Sequence, residues 1–365
     1  MRWGVVGLGY FAQTAILPAF AHARRNSELV ALFSDTPRKL AELGRRYRVA
    51  GRHSYDDYDT VLRAGGIDAV YIALPNHLHR DFTVRAARAG VHVLCEKPMA
   101  VTEKDCQVMI DACARRRVKL MIAYRLHFER ANLTAAELVR SGELGEPRVF
   151  NSLFSNPVKD PDNVRLNEMR LGGGTLYDIG IYCLNAARAL FRSEPVEVAA
   201  FAANNGGARF AGLDEMTAAM LRFPGERLAT FVSSFAAHDH NHYEVLGTKG
   251  RIRVEPAFEF ARGLGWEAQI GRRKRSRRLK KSDQVAPELL YFADCVLEDR
   301  EPEPSGREGL ADVRVLRALM RSAATGRTVR LAPFVKRPRP TLEQEIRRPP
   351  AAKPELVAAR PPSGA

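Results

Sequence analysis

Short apolar runs alternate with amphipathic stretches over the first 124 residues of the chain. The apolar runs predict β-strands over residues 2–6, 28–34, 69–73, 92–95 and 119–123. The stretches between them predict helices over residues 11–21, 37–47, 55–63, 79–89 and 102–116. This alternation is typical of a parallel sheet with helices on both faces, so it predicts a doubly wound α/β domain over residues 1–124.

From residue 125 onward, the pattern is dominated by runs of β-forming residues with helices before and after them. The predicted helices are 132–141, 174–191, 287–299 and 306–325, and the last two are expected to close this region. The predicted strands are 148–154, 196–202, 216–223, 228–235, 241–246 and 251–254. Short turns between the strands mark hairpins, which predicts an α+β domain on a largely antiparallel sheet over residues 125–335.

The last segment, residues 336–365, is rich in proline and charge and poor in apolar residues. Such a composition cannot bury enough apolar surface to order itself. We therefore expect an extended, poorly ordered tail, unless it docks on a partner surface.

The overall composition is that of a globular protein, with 45% hydrophobic and 27% charged residues among 365. No apolar stretch approaches the ~20 residues that cross a bilayer, and Met1-Arg2 leads straight into a strand rather than a signal peptide. The five cysteines are scattered, which favours reduced thiols over a disulfide framework. We expect a cytoplasmic protein with no membrane partner.

The formal net charge of +15 is concentrated in two places. Residues 272–281 hold eight lysines and arginines, and residues 336–365 hold seven against three acidic residues. Because the remainder is close to balanced, the charge alone does not indicate a nucleic-acid-binding fold. We interpret residues 272–281 as a solvated loop or hairpin tip and expect no nucleic-acid partner.

A glycine-rich turn follows the first predicted strand and opens the first helix. Its sequence, Gly7-Leu8-Gly9-Tyr10-Phe11-Ala12, has the G-x-G-x-x-A form. In that form the first glycine permits a tight turn, the second lets the backbone approach a pyrophosphate, and the alanine lets the helix pack closely. Position directly after a strand favours dinucleotide binding by Gly7, Gly9, Tyr10, Phe11 and Ala12 over a merely structural turn.

The residues after the second predicted strand bear on the choice of dinucleotide. The sequence there is Ser34-Asp35-Thr36-Pro37-Arg38-Lys39. An acidic side chain at this place favours the free ribose hydroxyl of NAD, whereas basic side chains favour the 2′-phosphate of NADP. Ser34, Arg38 and Lys39 make an anion pocket plausible. We favour NADP and leave NAD open.

Two further strand ends carry polar residues that should border the same crevice. Leu74, Pro75, Asn76 and His79 follow the strand over residues 69–73 and are predicted to contact the cofactor, although Asn76 and His79 could instead cap a helix. Glu96-Lys97-Pro98 follows the strand over residues 92–95. A partly desolvated lysine there can exchange a proton near neutral pH, whereas an exposed lysine would have no such role.

In the second domain, a glycine run precedes a predicted helix that carries Asp178 and Tyr182. These two residues are four apart, so they share a helix face. A carboxylate and a phenol aimed at one point can bind sugar hydroxyls or relay a proton. Asp178 could instead interact with the helix dipole, but that role does not explain Tyr182.

Histidines at 238, 240 and 242 would share one face of a strand and are the residues most suggestive of a metal site. Alternating histidines are more often found on a polar strand edge facing solvent. We predict no metal.

Together these motifs resemble the glucose–fructose oxidoreductase / inositol dehydrogenase / rhizopine catabolism (Gfo/Idh/MocA) family. The resemblance runs from residue 2 to about residue 330, and it is closest to the glucose–fructose oxidoreductase branch. The segments that resemble that branch are 16–20, 123–125, 172–185 and 325–327.

The resemblance implies a Rossmann-type α/β parallel sheet domain plus an α+β domain with a large open, mostly antiparallel sheet. It implies an active site between the domains, with Lys97 beside the nicotinamide and Tyr182, assisted by Lys97 and oriented by Asp178, exchanging the substrate proton. Glu96 accompanies Lys97 in its motif, Arg125 is implied at the nicotinamide end and Arg165 against the cofactor. The open sheet implies a homodimer or homotetramer.

Two departures from the family pattern alter these expectations. Val164 precedes Arg165 where a tryptophan is expected, so nicotinamide contacts there should differ. The chain also begins without the N-terminal arm with which the periplasmic sugar-converting member encloses its cofactor, so we expect an exchangeable cofactor.

The combined interpretation is an NAD(P)-dependent oxidoreductase that transfers a hydride between nicotinamide and a carbon of a sugar or related polyol. A non-catalytic, cofactor-sensing regulatory protein is the alternative from another class. Within the enzyme class, a dihydrodiol or anhydro-sugar substrate stays open.

Overall fold

The computed structural model describes residues 1–362 and contains two sheets. The first sheet has six strands, all parallel, in the order β3-β2-β1-β4-β5-β6. Their bounds are β1 (Arg2–Val6), β2 (Glu28–Phe33), β3 (Gly51–His53), β4 (Ala69–Ile72), β5 (His92–Glu96) and β6 (Leu120–Ala123). The sequence did not predict β3, because its three residues carry no apolar pattern.

Helices connect these strands on both faces of the sheet. They are α1 (Leu17–Ala19), α2 (Pro37–Arg46), α3 (Tyr58–Arg63), α4 (His79–Arg88) and α5 (Glu103–Arg115). The first predicted helix is composite, because a π-helical segment Ala12–Ile16 precedes α1 and a 3₁₀ turn Phe20–His22 follows it. The order reverses between β1 and β4, so the carboxyl ends of these strands border a crevice.

The second sheet has nine strands in the order β14-β13-β12-β11-β7-β10-β9-β8-β15. Its pairs are antiparallel except for β7 with β10, which run parallel. The bounds are β7 (Pro147–Ser155), β8 (Glu197–Ala203), β9 (Met216–Phe223), β10 (Arg227–Ser234), β11 (His240–Gly247), β12 (Gly250–Val254), β13 (Gly265–Ile270), β14 (Arg273–Arg278) and β15 (Val329–Arg330). The two sheets confirm the predicted fold class.

The remaining helices are α6 (Arg130–Arg140), α7 (Ile181–Phe191), α8 (Ala286–Leu297) and α9 (Gly306–Thr325). The prediction that the helix over residues 287–299 closes the second domain is wrong. Phe292 of α8 packs against Trp3 of β1, with ring centroids 5.7 Å apart, so α8 covers the first sheet. The division of the chain near residue 124 stays a prediction.

The basic segment over residues 272–281 starts at the tip of a hairpin, as one of the two predicted alternatives has it, and then continues as a strand and not as a loop. Its residues Arg273–Arg278 form β14, an edge strand whose six side chains are all exposed. Charged side chains on an edge strand discourage pairing with another sheet. A run of arginines carries no β-pattern, so the sequence could not indicate this strand.

The proline-rich tail is extended, as predicted, but it docks on its own chain. Lys336 Nζ lies 2.6 Å from carboxylates of Glu303 and Glu308, and Arg339 pairs with Glu194. Val357 is buried in the core beneath the first sheet. Residues 363–365 of the predicted tail lie outside the described residues.

Over residues 1–362, no helix is long and apolar enough to span a membrane. All five cysteines lie within this range, and each is buried and free of any disulfide bond.

Candidate active site

The glycine-rich turn connects β1 to the π-helical segment at the mouth of the crevice. Gly7 has φ +96°, and a Cβ on it would lie 2.4 Å from the carbonyl oxygen of Ala73, so only glycine fits. Gly9 has no atom within 4 Å of the place a Cβ would take, so its backbone faces open space. Ala12 is buried where the helix meets the sheet. This turn therefore has the room that a diphosphate needs.

The ribose end of the crevice combines a buried hydroxyl with a half-buried amine. Ser34 is buried at the end of β2, and burial lowers the pKa of Lys39. Asp35 accepts a hydrogen bond from the Tyr55 backbone N–H at 3.1 Å. Arg38 departs from its predicted role: its exposed guanidinium pairs with Glu42 at 2.7 Å and does not line the crevice.

The segment after β4 divides into lining residues and a structural brace. Leu74, Pro75 and Asn76 line the crevice, and Asn76 Nδ2 donates to the carbonyl oxygen of Gly172 at 2.7 Å. His79, predicted as a cofactor contact, is fully buried instead. Its ring nitrogens lie 2.8 Å from the Leu74 carbonyl oxygen and 2.9 Å from that of Pro98. It holds two loops together and caps no helix.

Lys97 directly follows β5 and lines the crevice. Its side chain is 11% exposed, and Nζ donates to the backbone oxygen of Asp178 at 2.7 Å and to its Oδ1 at 3.3 Å. The same Nζ lies 4.7 Å from the centroid of the Tyr182 ring. An ammonium group has three N–H donors, so this arrangement leaves one for a ligand oxygen.

Asp178 is a charge anchor between two cations. Arg165 Nε donates to Asp178 Oδ2 at 2.5 Å, and Lys97 Nζ donates to Asp178 Oδ1. Burial raises the pKa of Asp178, but the two cations outweigh burial and hold it below its usual range. The carboxylate therefore stays ionised and holds the ammonium in place.

Glu96, the neighbour of Lys97 in the motif, also lines the crevice. Its Oε1 accepts a hydrogen bond from the Tyr71 hydroxyl at 2.8 Å, and burial raises the pKa of Glu96 despite the nearby lysine. This bond ties the loop after β5 to β4.

Tyr182 lies one helical turn after Asp178, because a π-helical segment Leu176–Gly180 runs directly into α7. Its ring packs edge-on to Phe154 at 5.7 Å and tilted to Phe258 at 5.8 Å. Arg125 lies 5.2 Å from the Tyr182 ring centroid, held by the carbonyl oxygen of Phe258 and the side chain of Gln284. The phenol thus has a fixed position in the crevice.

These groups line one crevice of about 550 Å³, formed by the strand ends of the first sheet together with residues from the second half of the chain. The crevice gathers every predicted site residue except Arg38 and His79, including Tyr10 and Phe11. The open backbone at Gly9, the buried Ser34 with Lys39, and the ammonium of Lys97 fit a bound nicotinamide dinucleotide.

Several lining residues could not be predicted from the sequence motifs. They are Tyr55, Asn163, Phe258, Glu259, Phe260, Ala359 and Arg360. They come from loops and from the tail, where no pattern indicates the position of a side chain. Phe260 packs edge-on to Phe11 at 5.5 Å and so closes the crevice over the glycine turn.

The histidines of β11 lie away from this crevice. His240 and His242 approach each other at 3.2 Å beside Glu255. Within the described residues, no group of three or more histidine, cysteine or acidic side chains is arranged to hold a metal ion.

Comparison with protein families gives two matches. The GFO/IDH/MocA model, an oxidoreductase family with an NAD-binding Rossmann fold, matches residues 1–124, and the model of the GFO/IDH/MocA C-terminal domain matches residues 132–253.

Among curated proteins, the chain is similar to the D-xylose 1-dehydrogenase [NADP(+)] of Haloarcula marismortui, with 34% identity over 91% of this chain and 93% of that protein. It is 32% identical to the dTDP-3,4-didehydro-2,6-dideoxy-alpha-D-glucose 3-reductase of Saccharopolyspora spinosa, over 80% of this chain and 86% of that protein. Among solved structures, the aldose-aldose oxidoreductase from Caulobacter crescentus, complexed with glycerol, matches with a TM-score of 0.86 and 41% identity, over 91% of this chain and 99% of that one.

Proposed function

The chain belongs to the GFO/IDH/MocA oxidoreductase family, and we propose that it is an NADP-dependent enzyme that oxidises or reduces an aldose at C1. Family membership makes it an NAD(P)-dependent oxidoreductase of sugars or related polyols, as its sequence motifs indicate. The proposal narrows the substrate to aldoses. Two similar proteins support this choice: the D-xylose 1-dehydrogenase of Haloarcula marismortui and the aldose-aldose oxidoreductase of Caulobacter crescentus.

The observation that carries the proposal is the position of Lys97 beside the Tyr182 ring, in the same crevice as the glycine turn. A dinucleotide whose diphosphate lies at Gly9 would extend toward these two side chains. Bound there, its nicotinamide would supply the hydride acceptor, or the hydride donor in the reverse direction.

In the oxidation of an aldose, the C1–H bond breaks as a hydride leaves, and the proton on O1 must go to the protein. We assign Tyr182 as the group that accepts this proton: in the reacting form its oxygen is a phenolate, which becomes a neutral phenol as the C1–O1 bond becomes a carbonyl. The free N–H donor of Lys97 stabilises the negative charge on the phenolate oxygen before the transfer and on O1 as its proton leaves. Asp178 keeps the ammonium at that position.

The preference for NADP is supported by the half-buried Lys39 and the buried Ser34 at the ribose end. The carboxylate of Asp35, which would favour NAD, already accepts the backbone N–H of Tyr55. An amine and a hydroxyl suit a 2′-phosphate better than a free ribose hydroxyl.

We also propose that the enzyme is a homo-oligomer through the outer face of the second sheet. One face of this sheet is covered by helices, whereas the other presents large apolar side chains: Val149, Phe201, Met216, Met220, Leu228 and Leu246. Soluble monomers rarely leave such a patch open, so a second copy of the chain is the natural cover.

The role of a non-catalytic cofactor sensor is less well supported, because such a protein would have no need of an ammonium, a phenol and a carboxylate held together. Purified protein should be mixed with NADP⁺ and a panel of aldoses, ketoses, inositols and diols while nicotinamide fluorescence is followed. Reduction by aldoses supports the proposal. Cofactor binding without reduction by any aldose would contradict it.

A further inference from the structure

The end of the tail crosses the mouth of the cofactor crevice. Residues 355–362, called the strap below, run from the first domain to a loop that follows β7. The sequence predicted an extended tail and gave no sign that it reaches this place.

One end of the strap is fixed directly beneath the glycine turn. The backbone of Val357 donates to Gln13 Oε1 at 2.8 Å and accepts from Gln13 Nε2 at 2.9 Å, which also donates to the carbonyl oxygen of Leu8. Val357 is only 2% exposed. Arg46 of α2 donates to the carbonyl oxygen of Glu355, which fixes the strap a second time, two residues before Val357.

The other end of the strap is fixed to the second domain. The carbonyl oxygen of Pro362 accepts the backbone N–H of Lys159 at 2.9 Å. Between the two anchors, Ala358 has φ +45°, which is uncommon for a residue other than glycine. Ala359 and Arg360 then line the crevice, so the strap bridges its two walls.

We propose that the strap encloses the bound dinucleotide and that Arg360 binds its diphosphate. This inference rests on the proposed function. Along the chain, Arg360 lies between the anchor at Gln13, next to the glycine turn, and the anchor at Lys159, and it lines the crevice. Asp160 and Asp162 line the same crevice, and a cation there would offset their repulsion of a diphosphate.

Enclosure has a kinetic consequence. The dinucleotide can leave only when the strap detaches from at least one wall, so cofactor exchange is slow compared with exchange from an open crevice. The expectation of a freely exchangeable cofactor, drawn from the sequence, is replaced by that of a retained one.

The test measures the rate at which NADPH and NADH dissociate from the protein, by stopped-flow fluorescence with excess NADP⁺ as competitor. One variant lacks residues 355–365, and its control ends at Pro362 and so keeps the strap. A second variant is Arg360→Ala, and its control is Arg337→Ala, an exposed arginine of the same tail that does not line the crevice.

Loss of the strap should raise both dissociation rates more than tenfold. Arg360→Ala should raise both by about tenfold, as expected for one charge-assisted hydrogen bond. Both controls should match the full chain. The two dinucleotides should respond alike, because they share the diphosphate.

Unchanged rates in both variants would overturn the proposal. An effect of Arg360→Ala on NADPH alone would overturn the assignment to the diphosphate in favour of the 2′-phosphate. Should the shortened chain fail to fold, Arg360→Ala decides by itself. A full chain that binds neither dinucleotide would overturn the proposed function, and the strap with it, whereas normal binding with unchanged release overturns the strap alone.

Discussion

Both the aliphatic stem and the ammonium group of Lys97 are held by contacts with the protein. The stem is buried at the end of β5, and the ammonium is fixed by Asp178 while facing the ring of Tyr182. These contacts hold the amine in one place before any ligand arrives, which is what a group that stabilises a developing charge requires.

Replacement of this amine tests its role. Lys97→Met keeps the apolar stem but removes the charge, so turnover should fall about 10²- to 10⁴-fold, the range for a positioned proton-transfer group. NADPH affinity should change little, because the diphosphate and ribose ends are untouched. Steady-state kinetics and fluorescence titration measure the two quantities. Lys104→Met, an exposed lysine of α5, is the control.

Near-normal turnover of Lys97→Met on its best aldose would contradict the proposed role. A large loss of NADPH affinity with unchanged turnover would place the lysine in binding alone.

At the residue scale, the sequence predicted positions fixed by short-range rules. Gly7 and Gly9 follow a strand, and Asp178 and Tyr182 are one helical turn apart, so their placement follows from local geometry. Such rules did not distinguish Arg38 from Lys39, which were both predicted to bind the cofactor. Successive helical residues point about 100° apart, so Lys39 faces the crevice while Arg38 turns to Glu42.

At the scale of elements, α7, α9 and the tail are joined by a buried network of charges. Arg188 of α7 is fully buried and contacts Glu308 and Asp312 of α9. Asn185 donates to both acids and lies 2.7 Å from Nε2 of His127. Asn185 of this network shares α7 with Tyr182.

His127 makes the stability of this network depend on pH. Burial lowers its pKa from 6.5 to about 4, so in acid the unfolded chain takes up a proton before the folded one does. Stability should therefore be complete above about pH 6.5 and should fall progressively toward pH 4. Between about pH 7 and pH 5, protonation of His127 in the unfolded chain should lower the free energy of unfolding by about 2 kcal/mol.

The contribution of His127 to the pH dependence of stability is measured by urea unfolding of the native chain and of His127→Gln at pH 7 and pH 5. The variant should lose about 2 kcal/mol less than the native chain on acidification. His77→Gln, which removes an exposed histidine, should behave like the native chain. Equal losses in the native chain and in His127→Gln would show that this histidine is not the source.

Prediction from the sequence failed where long-range contacts decide whether a segment forms a strand or where an element packs. β14 is a strand because it pairs with β13, although its arginines and lysines carry no strand pattern. The helix α8 lies far along the chain but packs on β1, because Phe292 meets Trp3. The tail is ordered by ion pairs such as Lys336 with Glu308. None of these partners can be identified from local sequence.

At the scale of the whole molecule, the outer face of the second sheet remains open in one copy of the chain. Phe201 of β8 is 79% exposed and Met220 of β9 is 51% exposed. Alternation along β9 places its buried residues toward the helices and its exposed ones on this face.

A charge on this face should separate the subunits. The native chain should sediment as a dimer or larger assembly, and Phe201→Glu should shift it toward the monomer, because a buried unpaired carboxylate is costly. Leu297→Glu alters a side chain that is 65% exposed at the end of α8, and it should leave the assembly unchanged. Analytical ultracentrifugation decides, and a native monomer would contradict the proposed interface.

The most direct test of the proposed chemistry follows the hydrogen itself. The protein is mixed with NADP⁺ and an aldose that carries deuterium at C1, then denatured so that all cofactor is released, and the nicotinamide is analysed by mass spectrometry. The proposed function predicts reduced cofactor that carries the deuterium. Reduced cofactor without deuterium, or no reduction by any aldose, would contradict hydride transfer from C1 in this crevice.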